Sequence, residues 1–390
     1  MVSRRAVLAA AATSVAAGVA ACGRNEPANT PTPTSPTAQP TPSPSPAGKP
    51  ALAPEVVAAS RVPADLRGKI ASLLHVGVVN FDDALAKLNA GVGGIFITSW
   101  ADPGILTTPW RNLHDLRAIA GRPFDVSIDF EGGRVQRHAQ VLGSFSSPRE
   151  MARTQDPAGV TATGRAIGDS LRAHGITVNF APVLDVDSAG LEVVGDRAFS
   201  TDPALAGVYG AAFARGLIDA GVAPVYKHFP GHGQASGDTH LGAAVTPPLD
   251  NVIAHDLPPF AKALAETPAA VMMGHMIVPG LGDGQTPSTL NPAAYDLLRT
   301  GSYPGGTPMT GLIYTDDLSG MKAITDRISL PGAVAATIAA GADQALWSSG
   351  VGINEAVDAV EREVQEGRLP VERIDAAALN VQLQLVYAGY

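Results

Sequence analysis

A single cysteine, Cys22, occurs in 390 residues, so no intramolecular disulfide can form and no thiolate zinc site can be built. Basic residues are also in deficit: 27 Lys and Arg stand against 36 Asp and Glu, a net charge of −9 at pH 7. A nucleic-acid binder needs the opposite balance to neutralise phosphates, and nucleic acid is not an expected partner. Charged residues of either sign make up only 16% of the chain while 45% is hydrophobic, enough for a large core without covalent staples. No proline-rich or charged linker interrupts residues 51–390, which leaves no boundary at which to divide that stretch into two folded domains.

What is present begins with a leader. Arg4 and Arg5 form a short positive region, and residues 6–21 are almost all small or apolar, a run too short to span a bilayer. This is the pattern of an export signal peptide over residues 1–21. It ends in Val19-Ala20-Ala21-Cys22, which resembles a bacterial lipobox, with Cys22 the expected lipidated first residue of the mature chain. Ser3-Arg4-Arg5-Ala6-Val7-Leu8 also resembles a twin-arginine signal, so either export route stays open. Residues 22–50 then read as the lipidated Cys and an extended tether: positions 25–50 hold nine Pro, five Thr and three Ser, which cannot bury apolar surface. At about 3.1 Å per residue such a spacer reaches several nanometres from a membrane. The expected location is the outer face of the cell membrane, within the cell envelope.

Residues 51–390 alternate short runs rich in Val and Ile with longer stretches of helical spacing. Eight strands are expected, at Leu74 to Val79, Gly94 to Thr98, Phe124 to Ile128, Thr177 to Pro182, Ala223 to Tyr226, Ala270 to Met273, Leu312 to Tyr314 and Gln344 to Trp347. Val160 to His174, Leu205 to Asp219 and Gly332 to Ala340 carry apolar residues at three-to-four spacing and read as helices on a sheet. Eight such units predict an α/β fold, a (β/α)8 TIM barrel in one catalytic domain. A barrel builds its active site at the C-terminal ends of its strands. Asp129, Asp185, Lys227 with His228, His275 and Asp316 all follow strand candidates, although each residue alone could serve as a cap or a loop anchor.

Three clusters carry chemistry. In Lys227-His228-Phe229-Pro230-Gly231-His232-Gly233 the two outer His are four apart, but Pro230 and Gly231 break any helix between them, which disfavours a zinc site. No metal or cofactor is expected. The same loop continues to Asp238-Thr239-His240, where residues two apart can lie on one side, so that Asp238 holds the imidazole of His240 as an acid and base. In Ile313-Tyr314-Thr315-Asp316-Asp317 a carboxylate at a strand end faces the pocket, as a nucleophile attacking an anomeric carbon must, while Asp317 is one position on and points away. Asp129-Phe130-Glu131-Gly132-Gly133-Arg134-Val135-Gln136-Arg137 places a carboxylate beside a guanidinium, suited to sugar hydroxyls, and lacks the Gly-Lys-Ser of a phosphate loop.

Together with Gly195-Asp196-Arg197-Ala198-Phe199, these motifs resemble those of the bacterial β-N-acetylglucosaminidases of glycoside hydrolase family three, in the family's order and over essentially all of residues 60–390. The resemblance implies an exo-acting, retaining mechanism, with Asp316 forming a glycosyl-enzyme and His240, oriented by Asp238, as proton donor and then acceptor. It implies that Asp129, Arg137, Arg197, Lys227 and His228 hold the terminal N-acetylglucosamine. A His in place of a second carboxylate departs from the usual scheme for glycosidases. Phe130 and Gly320 differ from the family pattern and are expected to change the shape of the sugar pocket. The expected substrates are amino-sugar oligosaccharides or muropeptides, and the expected role is in peptidoglycan turnover and cell-wall recycling. A phosphorylase is a competing reading, because a neutral imidazole does not repel an incoming phosphate. A non-catalytic wall-binding lipoprotein is a third, against which the intact Asp316, Asp238 and His240 argue.

Overall fold

The structure is a computed structural model and describes residues 52–389; the leader, Cys22 and the Pro-rich stretch lie outside the described residues. Eight parallel strands form the barrel: β1 (Leu74–Val78), β2 (Gly94–Ile97), β3 (Asp125–Ile128), β4 (Val178–Asn179), β5 (Ala223–Phe229), β6 (Ala270–Met273), β7 (Ile313–Thr315) and β8 (Ala345–Trp347). Each pairs with the next in sequence, and β8 returns to pair with β1. A parallel bridge between Tyr314 and Gln344 joins β7 to the start of β8, so the sheet closes on itself.

All eight strands fall where the apolar runs place them, with two substantial differences: the fifth runs on to Phe229, so that Lys227 and His228 lie within it and not after it, and the fourth is cut short. The fourth is shorter than expected, because the Ala181 N–H turns back to the Asn179 carbonyl and Pro182 has none to offer a neighbour. The connecting helices begin on a local signal. Asp156, Asp202 and Asn291 each accept a backbone N–H from the first turn, and each is followed by a proline in the first helical position, at Pro157–Ala173, Pro203–Asp219 and Pro292–Thr300. The side chain satisfies a donor that the helix cannot, and proline needs none.

The two long helices Pro157–Ala173 and Pro203–Asp219 pack closely through glycine: a Cβ on Gly164 would lie 2.5 Å from the Phe213 carbonyl oxygen, and one on Gly216 would lie 2.2 Å from that of Thr161. Inside the barrel, His75, Phe180 and Tyr314 meet ring to ring, and the His75 imidazole is hydrogen-bonded to Ser127 and Gln344. At the N-terminal ends of the strands, buried Asp343 is paired with Arg299 and Arg373 and accepts the Ile313 N–H. Asp343 and its two arginine partners thus serve the structure of that end.

Candidate active site

A cleft of about 540 Å³ opens at the C-terminal ends of the strands, and the eight residues given catalytic or sugar-binding roles from the sequence line it: Asp129, Arg137, Arg197, Lys227, His228, Asp238, His240 and Asp316. A larger hollow of about 750 Å³ lies at the opposite end, around Ala223, Ala270 and Gly311, with Glu55 as its only charged lining residue. Its walls offer no paired acid and base, so the smaller cleft is the chemical one.

The hairpin after β3 builds one wall. Its strands, Phe130–Gly132 and Val135–Gln136, are antiparallel, and Gly132 turns at a φ of 94°, where a Cβ would lie 2.3 Å from the Ser146 carbonyl oxygen. The Asn179 side chain grips both the N–H and the C=O of Phe130. Period two then sets the side chains: Asp129 faces the cleft, Phe130 is fully buried against Phe145, and Glu131 is buried on the cleft side. Phe130 therefore belongs to the core and does not shape the pocket, contrary to the expectation from its departure from the family pattern. Gly320 is likewise no part of the lining; a Cβ there would meet the Asp317 carboxylate at 2.4 Å.

Glu131 is the residue that sequence reasoning passed over. It accepts Nε and Nη2 of Arg197, both at 2.8 Å, and Nζ of Lys227 at 2.7 Å. Lys227 also reaches Asp129 Oδ1 at 2.8 Å. Burial alone would raise the Glu131 carboxyl, but Arg197 and Lys227 hold it well below the usual carboxylate range. Burial opposes the charge on Lys227 too, and Asp129 and Glu131 outweigh it, keeping the ammonium more basic than usual. Two cations are thus fixed at the cleft wall by one buried carboxylate. Arg137 is different: it lines the cleft, and its guanidinium has no hydrogen-bond or ion-pair partner among the described residues.

A second assembly surrounds Asp316, the residue after β7. Asp316 is 9% exposed, and its Oδ1 accepts the Asp317 N–H at 2.8 Å. Its Oδ2 lies 4.0 Å from His228 Nε2. On the far side of that ring, Nδ1 is 2.7 Å from Asp185 Oδ2, and Asp185 Oδ1 takes the backbone N–H of His232. Burial would raise Asp185, but His228 and His232 offset it and leave it at about 2. Burial likewise works against Asp316, and the imidazoles of His228 and His275 bring its pKa below the ordinary value. Asp317 turns the other way, as period two requires, and takes the hydroxyl of Ser319 and the backbone N–H of Ser348. His275 lies beneath the cleft rather than in its lining.

The Gly-rich loop after β5 brings the remaining pair. Asp238 Oδ1 accepts both the backbone N–H and Nδ1 of His240, at 2.9 and 2.7 Å. With Nδ1–H donated to the carboxylate, Nε2 is the nitrogen free to exchange a proton. Burial pushes Asp238 up, and these two bonds bring it below its ordinary value. The His240 side chain is 52% exposed, so water reaches it. The cleft therefore combines a buried, ionised carboxylate, an accessible imidazole held by a second carboxylate, and a cationic wall, which is the equipment of glycosyl transfer to water.

The chain belongs to glycosyl hydrolase family 3: the model of that family's N-terminal domain matches residues 65–383. It is a glycoside hydrolase. Among its relatives is the β-hexosaminidase LpqI of Mycobacterium tuberculosis, 44% identical over 326 residues that make up 82% of this chain and 83% of the relative. A glycosyl hydrolase structure of the same family from Mycobacterium smegmatis superposes with a TM-score of 0.79 at 46% identity, covering 84% of this chain and 98% of that one. A β-N-acetylglucosaminidase structure from a Paenibacillus species gives a TM-score of 0.76 at 29% identity over 84% of this chain and 63% of that one.

Proposed function

We propose that this protein is an exo-acting, retaining β-N-acetylhexosaminidase that releases terminal N-acetylglucosamine from peptidoglycan fragments. The observation that carries this reading is the placement in one cleft of Asp316, nearly buried and ionised, and the Asp238–His240 pair. In the first step Asp316 attacks the anomeric carbon, the glycosidic C–O bond breaks, and the leaving oxygen takes the proton from His240 Nε2. In the second, water attacks the same carbon, gives its proton to Nε2, and the bond to Asp316 breaks. Two inversions give retention. Arg197, Lys227 and His228, with Asp129 and the unpartnered Arg137, bind the hydroxyls and the acetamido group of the terminal sugar. The choice of a terminal N-acetylhexosamine is supported by the likeness to the β-hexosaminidase LpqI and to the Paenibacillus β-N-acetylglucosaminidase.

The same proposal includes export and a lipid anchor at Cys22, with residues 22–50 as the tether that lets the domain reach wall fragments from the membrane face. Trapping with a 2-deoxy-2-fluoro glycosyl donor and peptide mapping tests the nucleophile, and product analysis with muropeptides tests the substrate. A sugar mapped to any residue other than Asp316, or an anomer of inverted configuration, would overturn the mechanism. Cys22→Ser should abolish lipid mass and membrane association while leaving hydrolysis intact; a wild-type chain without lipid would sink the anchor.

A further inference from the structure

The imidazole of His275 follows β6, is 1% exposed, and has hydrogen-bond partners on both ring nitrogens. Nε2 lies 3.0 Å from the backbone carbonyl of Asp317. A carbonyl only accepts, so this nitrogen carries a proton. Nδ1 lies 2.7 Å from the hydroxyl of Thr289. That hydroxyl has a single proton, and it sits 2.6 Å from the carbonyl oxygen of Gly274 and 3.1 Å from that of Met273. Both of these oxygens are acceptors, so the Thr289 proton points at them, and its oxygen must receive one from Nδ1. Both nitrogens then donate. A neutral ring would leave one of three contacts without a proton, Nε2 to the Asp317 carbonyl, Nδ1 to the Thr289 oxygen or the Thr289 oxygen to the Gly274 carbonyl, in a place closed to water, where an unmade hydrogen bond costs about 1–3 kcal/mol.

We propose that His275 is a doubly protonated imidazolium that serves as the buried counter-ion and positioning residue of Asp316. The charged groups facing it are the carboxylates of Asp316 and Asp317, which favour the cation, and His228, which opposes it. Burial is the strongest of these influences and lowers the pKa below the ordinary imidazole value; the hydrogen-bond directions act the other way, because only the cation can make all of these contacts at once. The Asp317 carboxylate is already engaged with Ser319 and Ser348, which leaves Asp316 as the anion to be balanced. By donating to the Asp317 carbonyl, His275 also fixes the turn whose N–H holds Asp316 Oδ1. A permanent cation behind the nucleophile keeps it ionised and makes it a better leaving group in the second step. This role rests on the reading of Asp316 as nucleophile; the protonation state does not.

The test is a long-range proton–nitrogen correlation spectrum of the full chain labelled with 15N-histidine. At pH 7, where an ordinary imidazole of pKa about 6.5 is mostly neutral, the His275 ring should show both nitrogens protonated, identified as the pair of signals that vanishes in His275→Gln. Should that variant fail to fold, Thr289→Val identifies the same pair by shifting it. A His275 ring with one bare nitrogen would overturn the proposal. In kinetics with an aryl glycoside, His275→Gln should move the acid limb of kcat/KM upward by roughly one pH unit, the lower end for losing one opposite charge, with an unchanged circular dichroism spectrum. An unmoved limb would remove the counter-ion role. A trapped sugar found away from Asp316, beside an intact imidazolium signal, would instead count against the nucleophile alone.

Discussion

Replacing Glu131 by Gln keeps the shape of the side chain and deletes the one charge that Arg197 and Lys227 share. Lys227 keeps Asp129 at 2.8 Å, but Arg197 loses both of its charge-assisted bonds. Removing one partner of a buried pair costs about 3–5 kcal/mol, and because Gln can still accept one hydrogen bond, the lower figure of about 3 kcal/mol applies. Unfolding entropy of roughly 2.1 cal/mol/K per residue over some 340 ordered residues converts this to a Tm lowered by about 4 °C. The pH dependence has a definite sign. The folded pKa of Glu131 lies well below the unfolded value of 4.5, so its contribution is complete above that value and is lost as pH falls below it. Differential scanning calorimetry of the two proteins should therefore show a constant gap from pH 8 down to about 5, narrowing on further acidification. Arg197 should also lose its fixed pose, raising KM for an aryl N-acetylglucosaminide about tenfold, the equivalent of ~1.4 kcal/mol, with less effect on kcat. Equal stability at pH 7, or a gap that widens as pH drops, would refute the account of the cationic wall.

Two further outcomes are expected. His240→Ala should slow hydrolysis of a natural disaccharide by roughly 10²- to 10⁴-fold while sparing the bond-breaking step of an activated aryl substrate, because only a basic leaving oxygen needs the proton; equal losses on both would mark His240 as structural. Asp256 is buried with neither oxygen hydrogen-bonded, and burial raises its carboxyl to about 8, with Asp185 adding to the effect. Since the folded value exceeds the unfolded 3.8, the folded chain retains a proton that the unfolded chain has released, and stability falls as pH rises between these values. Asp256→Asn should match the wild type near pH 4 and exceed it in Tm at pH 8, and a variant less stable at pH 8 would show that the carboxylate is ionised and paired.

The sequence by itself determined the parts of this protein that depend on neighbours along the chain. Strand runs and helical spacing are local signals, so eight βα units and the closed barrel were legible, as was the collection of acids and bases at one end. Period two was enough to separate Asp316 from Asp317, and it would also have separated Glu131 from Phe130 had the hairpin after β3 been recognised. The tertiary structure decided what depends on residues far apart. Nothing near Glu131 in sequence reveals that Arg197 and Lys227 converge on it, nor does the segment around Asp185 show that His228 is its partner. His275 looks like one more strand-end imidazole until the carbonyl of Asp317 and the hydroxyl of Thr289, itself bound to the Gly274 carbonyl, meet its two nitrogens. Protonation states and charge pairs in a buried site follow from which donors and acceptors meet in space, and barrel closure brings those groups together from different βα units.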